Sequence, residues 1–162
     1  MVRDNKHWNQ QELRREQQLR RLNTRNPDCD VCGESEPAAL IKIEGRIICY
    51  ECKAKALGKS TAEWHHYAGK NNDSFSVPVH GNDHRVLSDY QRDWPTETLR
   101  NPNASPLLKA AASLRGWLDI LRLLIERILG WIPPFLESLD GHLSSVIGEQ
   151  WWVNLDLKGE LK

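Results

Sequence analysis

The chain has no excess of either charge: 22 Lys and Arg stand against 22 Asp and Glu over 162 residues. That balance excludes a protein drawn to nucleic acid or to an anionic membrane by its overall field. An uncharged apolar run of ~20 residues, the length a membrane span needs, is missing as well. The opening MVRDNKHWNQ has no apolar leader, so a cytoplasmic, intracellular protein is expected. Apolar residues make up 40% of the chain and the mean hydropathy is −0.61. Part of the chain is therefore expected to add little to any core, which speaks against a large enzyme built round one buried centre.

The zero net charge hides an uneven distribution. Residues 1–26 hold seven Arg and Lys against three acids, whereas residues 137–162 hold five acids against two Lys. Residues 3–25 read as an exposed basic helix in which Leu13, Leu19 and Leu22 are too sparse for a strong apolar stripe. Its Arg14-Arg15 and Arg20-Arg21 pairs are candidates for sequence-independent phosphate contacts, and a solvated arm is the equal alternative.

Four cysteines are present, spaced Cys29-x2-Cys32-x16-Cys49-x2-Cys52 with none left over. Thiolates two residues apart converge on one ion from a tight turn, and two such pairs complete a tetrahedral zinc site. Two disulfides or a redox pair are the alternatives, and the missing leader weighs against the first. Between the pairs, Ala39–Ile43 and Arg46–Ile48 read as strands joined at Glu44-Gly45, and Lys53–Leu57 as a short helix ending at Gly58. A zinc ion saturated by four thiolates has no open position, so such a site builds a scaffold and does not itself catalyse.

Four of the six histidines follow within the stretch from Glu63 to Arg85. Adjacent His65 and His66 on an extended segment point to opposite faces, which lets one bind a metal while the other serves as a base. Asn82 is placed to N-cap a helix running through Val86, Leu87 and Tyr90 to Trp94, stopped by Pro95. A strand, loop, strand and helix would bring His65 and His84 to one cation from opposite walls of a cleft. His80 is a weaker alternative ligand, and Glu63 reads as a solvated strand residue.

The segment from Glu63 to Arg85 resembles the ββα-metal motif of HNH endonucleases, whose variants read as a His-His pair, a polar loop, VPL-C-x-x-C-H-R and a helix. Val77-Pro78-Val79-His80-Gly81-Asn82-Asp83-His84-Arg85 corresponds to the second half. The four-cysteine cluster upstream is similar to the zinc element that braces the motif in some of these nucleases, phage-associated ones included. The resemblance covers residues 29–94. It implies that His65 and His84 hold a divalent cation (Mg²⁺, Mn²⁺, Ni²⁺ or Zn²⁺), that His66 is the general base, and that Arg85 pairs with a phosphate. Three departures stand out. His80-Gly81-Asn82-Asp83 replaces the usual Cys-x-x-Cys, Ser88 falls where some relatives have a third ligand, and Phe75 falls near the expected Asn. Asn71, Asn72 or Asp73 would have to substitute for that Asn.

Beyond Trp94, residues 95–106 read as a Pro-rich linker. Leu107–Leu129 and Phe135–Ile147 read as amphipathic helices interrupted at Gly130-Trp131-Ile132-Pro133-Pro134. Arg115, Asp119, Arg122 and Glu126 form one charged stripe on the first. Faces this apolar must cover the core, a second copy or a protein partner, with a membrane surface the weakest alternative because the polar stripe balances acid against base. Trp151–Leu157 reads as a short strand or a partner-binding peptide.

The expected architecture is α+β: a basic helical arm (1–27), a zinc-binding, treble-clef-like HNH domain (28–94), a linker (95–106), a C-terminal α-helical hairpin (107–148) and a tail (149–162). The expected function is metal-dependent endonuclease cleavage of nucleic acid, DNA foremost. The rival is a nucleic-acid-binding or adaptor protein that keeps this fold without cleaving, a reading favoured by Phe75. A purely protein-binding zinc module comes third.

Overall fold

Glu44 and Gly45 sit at φ 50° and 82°, the two left-handed residues that a tight two-residue hairpin turn requires. They fold Leu40–Ile43 (β1) back onto Arg46–Cys49 (β2), with Leu40 opposite Cys49 and Ile43 opposite Arg46. Cys49 closes the strand and caps the helix that follows, Tyr50–Ala56 (α2), its sulfur accepting from the Cys52 N–H. The helix thus begins three residues earlier than expected, and the second cysteine pair lies at its N-terminus. The computed structural model describes the backbone of residues 5–154 and the side chains of residues 10–153. The chain divides into two compact units, one ending at Leu123 and the other beginning at Leu124.

In the first unit the N-terminal helix, Asn5–Leu22 (α1), is not a solvated arm. Leu22 is fully buried with Leu40, Cys29, Cys49 and Cys52. Gln11 and Arg14 donate to Asp93, Gln18 to Asp89, and Arg21 to the Leu40 carbonyl. Few apolar residues suffice because these polar anchors hold the helix in place. They also take Arg14 and Arg21 out of the set of free phosphate contacts.

A second hairpin pairs Ala62–His65 (β3) with Val77–His80 (β4), Ala62 opposite His80 and His65 opposite Val77. Gly81–Gln91 (α3) follows at once, with His80 at the N-cap position. Asn82 therefore does not cap its own helix, and α3 ends at Gln91, short of Trp94. The indole of Trp94 is buried, and its Nε1–H donates to Asp119 at 2.9 Å.

The stretch 95–106 departs from a linker. It contains a helix, Thr96–Arg100 (α4), and Thr98 and Asn101 are buried. The Asn101 amide donates to Asn72 Oδ1 and to the Ser105 carbonyl, and it accepts from the Ser105 N–H. Satisfying these groups ties the segment into the core. Pro106–Leu129 (α5) then buries Ala112, Gly116 and Leu123. Gly116 is needed there, because a Cβ at that position would stand 2.0 Å from the Tyr67 carbonyl oxygen.

In the second unit Ile132–Ile147 (α6) begins at the prolines expected to interrupt the helices. They occupy its first turn, where no backbone N–H is called for. Trp151–Asn154 forms a 3-10 turn, not a strand, and Trp151 Nε1–H donates to Asp140. Leu155, Asp156 and Leu157 lie outside the described residues. No residue of α6 is buried. No helix among the described residues is long and apolar enough to cross a membrane.

Candidate active site and metal centre

The sulfurs of Cys29, Cys32, Cys49 and Cys52 all lie within 4.8 Å of one another, with Cys32 and Cys49 at 3.6 Å. Zinc–sulfur bonds of ≈ 2.3 Å set tetrahedral sulfur–sulfur edges of about 3.8 Å, so the donor set fits that ion. No disulfide joins these four cysteines in the structure. Backbone N–H groups turn toward the sulfurs: Cys49 N–H donates to Cys29 at 3.2 Å and Cys52 N–H to Cys49 at 3.3 Å. Burial pushes the Cys29 thiol up, yet N–H groups of Val31, Cys49 and Cys32 outweigh it and bring it down to about 7. Burial and the neighbouring sulfurs push Cys52 up. Among the described residues this is the one group of three or more His, Cys, Asp or Glu side chains close enough together to hold a metal.

The cysteine element is joined to the second hairpin through Asn82. Its Oδ1 accepts from the Glu51 N–H at 3.2 Å, and its own N–H donates to Glu51 Oε1 at 3.2 Å. Its Nδ2 donates to Glu34 at 3.3 Å. A residue of α3 thus caps α2, which has the last cysteine in its first turn.

Past the hairpin a cleft of about 550 Å³ is lined by Glu63, Trp64, His65, His66, Lys70, Asn71, His84, Ser88 and Gln91, among others. His65 and His84 meet edge-to-face with 5.2 Å between ring centroids. His66 lines the same cleft as His65, contrary to the opposite-face expectation. The strand ends at His65, and a turn closed by the Gly69 N–H on the His66 carbonyl at 2.9 Å redirects the chain. Burial, with His84 and His66 nearby, lowers His65 to about 4. Burial also lowers His84, outweighing the pull of Glu63 upward. Both imidazoles are therefore neutral near pH 7 and keep a lone pair for a cation.

Glu63 belongs to this cleft and is not simply a solvated strand residue. It accepts two hydrogen bonds from Arg85 Nη2, at 2.9 and 3.0 Å, and its Oε2 lies 3.0 Å from His84 Nδ1. That contact is an ion-pair distance without hydrogen-bond alignment, since His84 Nδ1 is buried with no hydrogen-bond partner. Arg85 also lies over the Tyr50 ring at 4.5 Å. With its guanidinium turned to Glu63, Arg85 holds a carboxylate where a phosphate contact was expected.

Gln91 was not singled out in the sequence, although it lies on the face of α3 that carries His84 and Ser88. Its Nε2 donates to the His66 and Tyr67 carbonyls at 2.8 and 3.1 Å and comes within 3.3 Å of His65 Nε2. The end of α3 thereby clamps the segment that carries the histidine pair.

Other expected residues lie elsewhere. His80 is 71% exposed, with Nδ1 3.9 Å from Glu51, and does not line the cleft. Phe75 is exposed and packs edge-on against Tyr67. Asn72 is buried, donating to the Ala68 and Thr98 carbonyls at 3.0 and 2.9 Å. Asp73 accepts from the Phe75 N–H. None of these supports the base candidate: His66 Nδ1 is buried without a hydrogen-bond partner.

Comparison with protein-family models, curated proteins and solved structures finds no match to the chain.

Proposed function

We propose that the protein is a metal-dependent endonuclease of the HNH type that hydrolyses phosphodiester bonds, with DNA as the first substrate to test. The observation that carries this reading is the meeting of His65, His66 and His84 in one cleft, two on the β3–loop segment and one on α3. Beside it stands a four-cysteine scaffold joined to α3 through Asn82.

The division of labour follows from the side chains. Neutral His65 and His84 would be the ligands, and Arg85 keeps Glu63 3.0 Å from His84 Nδ1, where a turn of the ring would give the carboxylate the hydrogen bond that orients a ligating imidazole. A divalent cation there supplies Lewis-acid stabilisation of the phosphate and of the leaving oxygen. His66 accepts the proton of the attacking water, a task for which an imidazole is suited near neutral pH. Lys70 adds positive charge to the cleft, and the indole of Trp64, 67% exposed at its edge, offers a stacking face for a base.

The second reading, a nucleic-acid-binding or adaptor protein without cleavage, is favoured by one specific observation. His66 Nδ1 has no partner, and Phe75 supplies none. An unoriented base loses much of the advantage of being positioned. A plasmid-nicking assay with Mn²⁺ or Mg²⁺, run beside His66→Ala, decides between the two. Metal-dependent nicking by the parent chain, abolished in the variant, supports the nuclease. Binding to DNA with no nicking under any metal supports the adaptor.

A further inference from the structure

Strand β3 ends at His65, paired with Val77, so His66 is the first residue beyond the ladder. Its ring gives it no hold, since Nδ1 has no hydrogen-bond partner. The polar side chains of the loop that follows are engaged elsewhere: Asn72 donates to the Ala68 and Thr98 carbonyls, and Asp73 accepts from the Phe75 N–H. Where His66 stands in the cleft is therefore decided by its backbone. Among the described residues two groups hold its carbonyl, the Gly69 N–H at 2.9 Å and Gln91 Nε2 at 2.8 Å. Gly69 belongs to the same turn and moves with it. Gln91 is the tie to the rest of the fold.

We propose that Gln91 is the positioning residue of His66, holding the imidazole where the base is needed while taking no part in the chemistry; the catalytic consequence rests on the nuclease reading above. Gln91 is the last residue of α3 and lies two turns, ~10 Å, beyond His84 on the same face. Its second contact, at 3.1 Å, is the Tyr67 carbonyl. Of the two ends of the amide only the nitrogen can face a pair of carbonyls, and both of its hydrogens are then used. The same nitrogen stands 3.3 Å from His65 Nε2, a close contact that limits movement of that ring. Helix α3 thus carries His84 on its own backbone and grips the His65–Tyr67 segment from its end. One helix sets the spacing of all three histidines.

The test compares the full, zinc-loaded chain with Gln91→Met and Gln91→Glu, which keep the length of the side chain and lose both donors. Unchanged zinc content and far-UV circular dichroism show that the variants fold. Hydrogen exchange at the Gly69 N–H, which shares the His66 carbonyl, reads the anchoring without any cleavage. It should quicken ~10-fold or more in both variants. Single-turnover nicking of supercoiled plasmid at saturating Mn²⁺ reads the consequence, and a loss of ~10–100-fold is expected. Further Mn²⁺ should not recover it. Between His66→Ala and the double variant with Gln91→Met the loss should shrink below ~3-fold, because no base is left to position. Unchanged Gly69 exchange overturns the proposal, whether or not the chain cleaves. An equal loss in the His66→Ala background overturns it too, since Gln91 then acts through the fold at large. So does a loss that excess Mn²⁺ repairs, which would assign Gln91 to His65. In a parent chain that does not nick, the nuclease reading fails by itself and the Gly69 amide still decides the anchoring.

Discussion

Asn82 and Glu51 hold each other's backbone. The side-chain oxygen of each accepts the other's N–H at 3.2 Å, across 31 residues of sequence. The pairing satisfies an otherwise orphaned donor at the start of α2 and another at the start of α3. It couples the cysteine cluster to the helix that carries His84. Asn82→Ala removes the cap and leaves the Glu51 N–H without this acceptor, so a loss of about 1–2 kcal/mol is expected. Urea titration checks it: a midpoint equal to that of the parent chain would show the pairing to be energetically idle.

The cysteine cluster should hold one zinc per chain. Four sulfurs within 4.8 Å repel as thiolates and are poorly solvated as thiols, and a cation resolves both. Removing zinc with a chelator should unfold the region around Leu22 and Leu40, because binding energy is folding energy in such a site. Cys49→Ser should do the same, since that sulfur is both ligand and helix cap. Elemental analysis together with hydrogen exchange on residues 22–56 reads the result. A folded chain with substoichiometric zinc and four reactive thiols would remove the assignment.

The four-cysteine cluster was legible from sequence because its signal is local: two Cys-x2-Cys pairs and a Glu44-Gly45 turn dictate turn, hairpin and helix within 24 residues. The longer helices and the β3–β4 hairpin were legible for the same reason. What escaped depends on contacts between distant segments. Residues 95–106 read as a linker because Pro and Asn favour turns, yet Asn101 reaches Asn72, 29 positions away. Glu63 and Gln91 look like ordinary polar residues until α3 packs on β3. Asn82 sits at a plausible cap position, but the helix it caps is α2.

Metal ligands and base should separate kinetically. His65→Ala or His84→Ala should weaken metal affinity, and excess Mn²⁺ should restore part of the nicking, because mass action offsets a lost ligand. His66→Ala should lose ~10²–10⁴-fold in rate with metal binding unchanged, and no amount of metal should recover it. Titrating Mn²⁺ against nicking rate for the three variants discriminates the roles. Full activity in His66→Ala, or parent activity that survives removal of all divalent metal, contradicts the assignment.

Gly116 brings α5 onto the backbone of Tyr67, next to the histidine pair. Gly116→Ala would place a methyl group 2.0 Å from a carbonyl oxygen, backbone against backbone, with no flexible side chain to yield. The intrinsic preference of a helix for Ala, about 1 kcal/mol, favours the substitution. The overlap opposes it by about 1–3 kcal/mol or more, so net destabilisation is expected. A thermal melt gives the sign, and a variant as stable as the parent would mean that α5 does not approach Tyr67 this closely.

Asp119 makes the stability of the first unit depend on pH in an unusual direction. Burial raises its carboxyl to about 6 from the ordinary 3.8, outweighing the Trp94 hydrogen bond and the nearby Arg122 and Arg115. Between about 4 and 6 the folded chain therefore holds a proton that the unfolded chain has released. Its contribution to stability falls as pH rises through that window and stays at its lower value above it. Asp119→Asn keeps an acceptor for the Trp94 N–H and removes the charge. At pH 7 the variant should be the more stable chain, by on the order of 1–2 kcal/mol once partial exposure is allowed for. Below pH 4, where Asp119 is protonated in both states, the difference should shrink toward zero. Urea denaturation of both chains at pH 4, 5, 6 and 7 isolates this group, because every other titration is shared. An Asp119→Asn chain less stable than its parent at pH 7 would show that the ionised carboxylate is a favourable partner for its arginine neighbours, and that burial does not govern it.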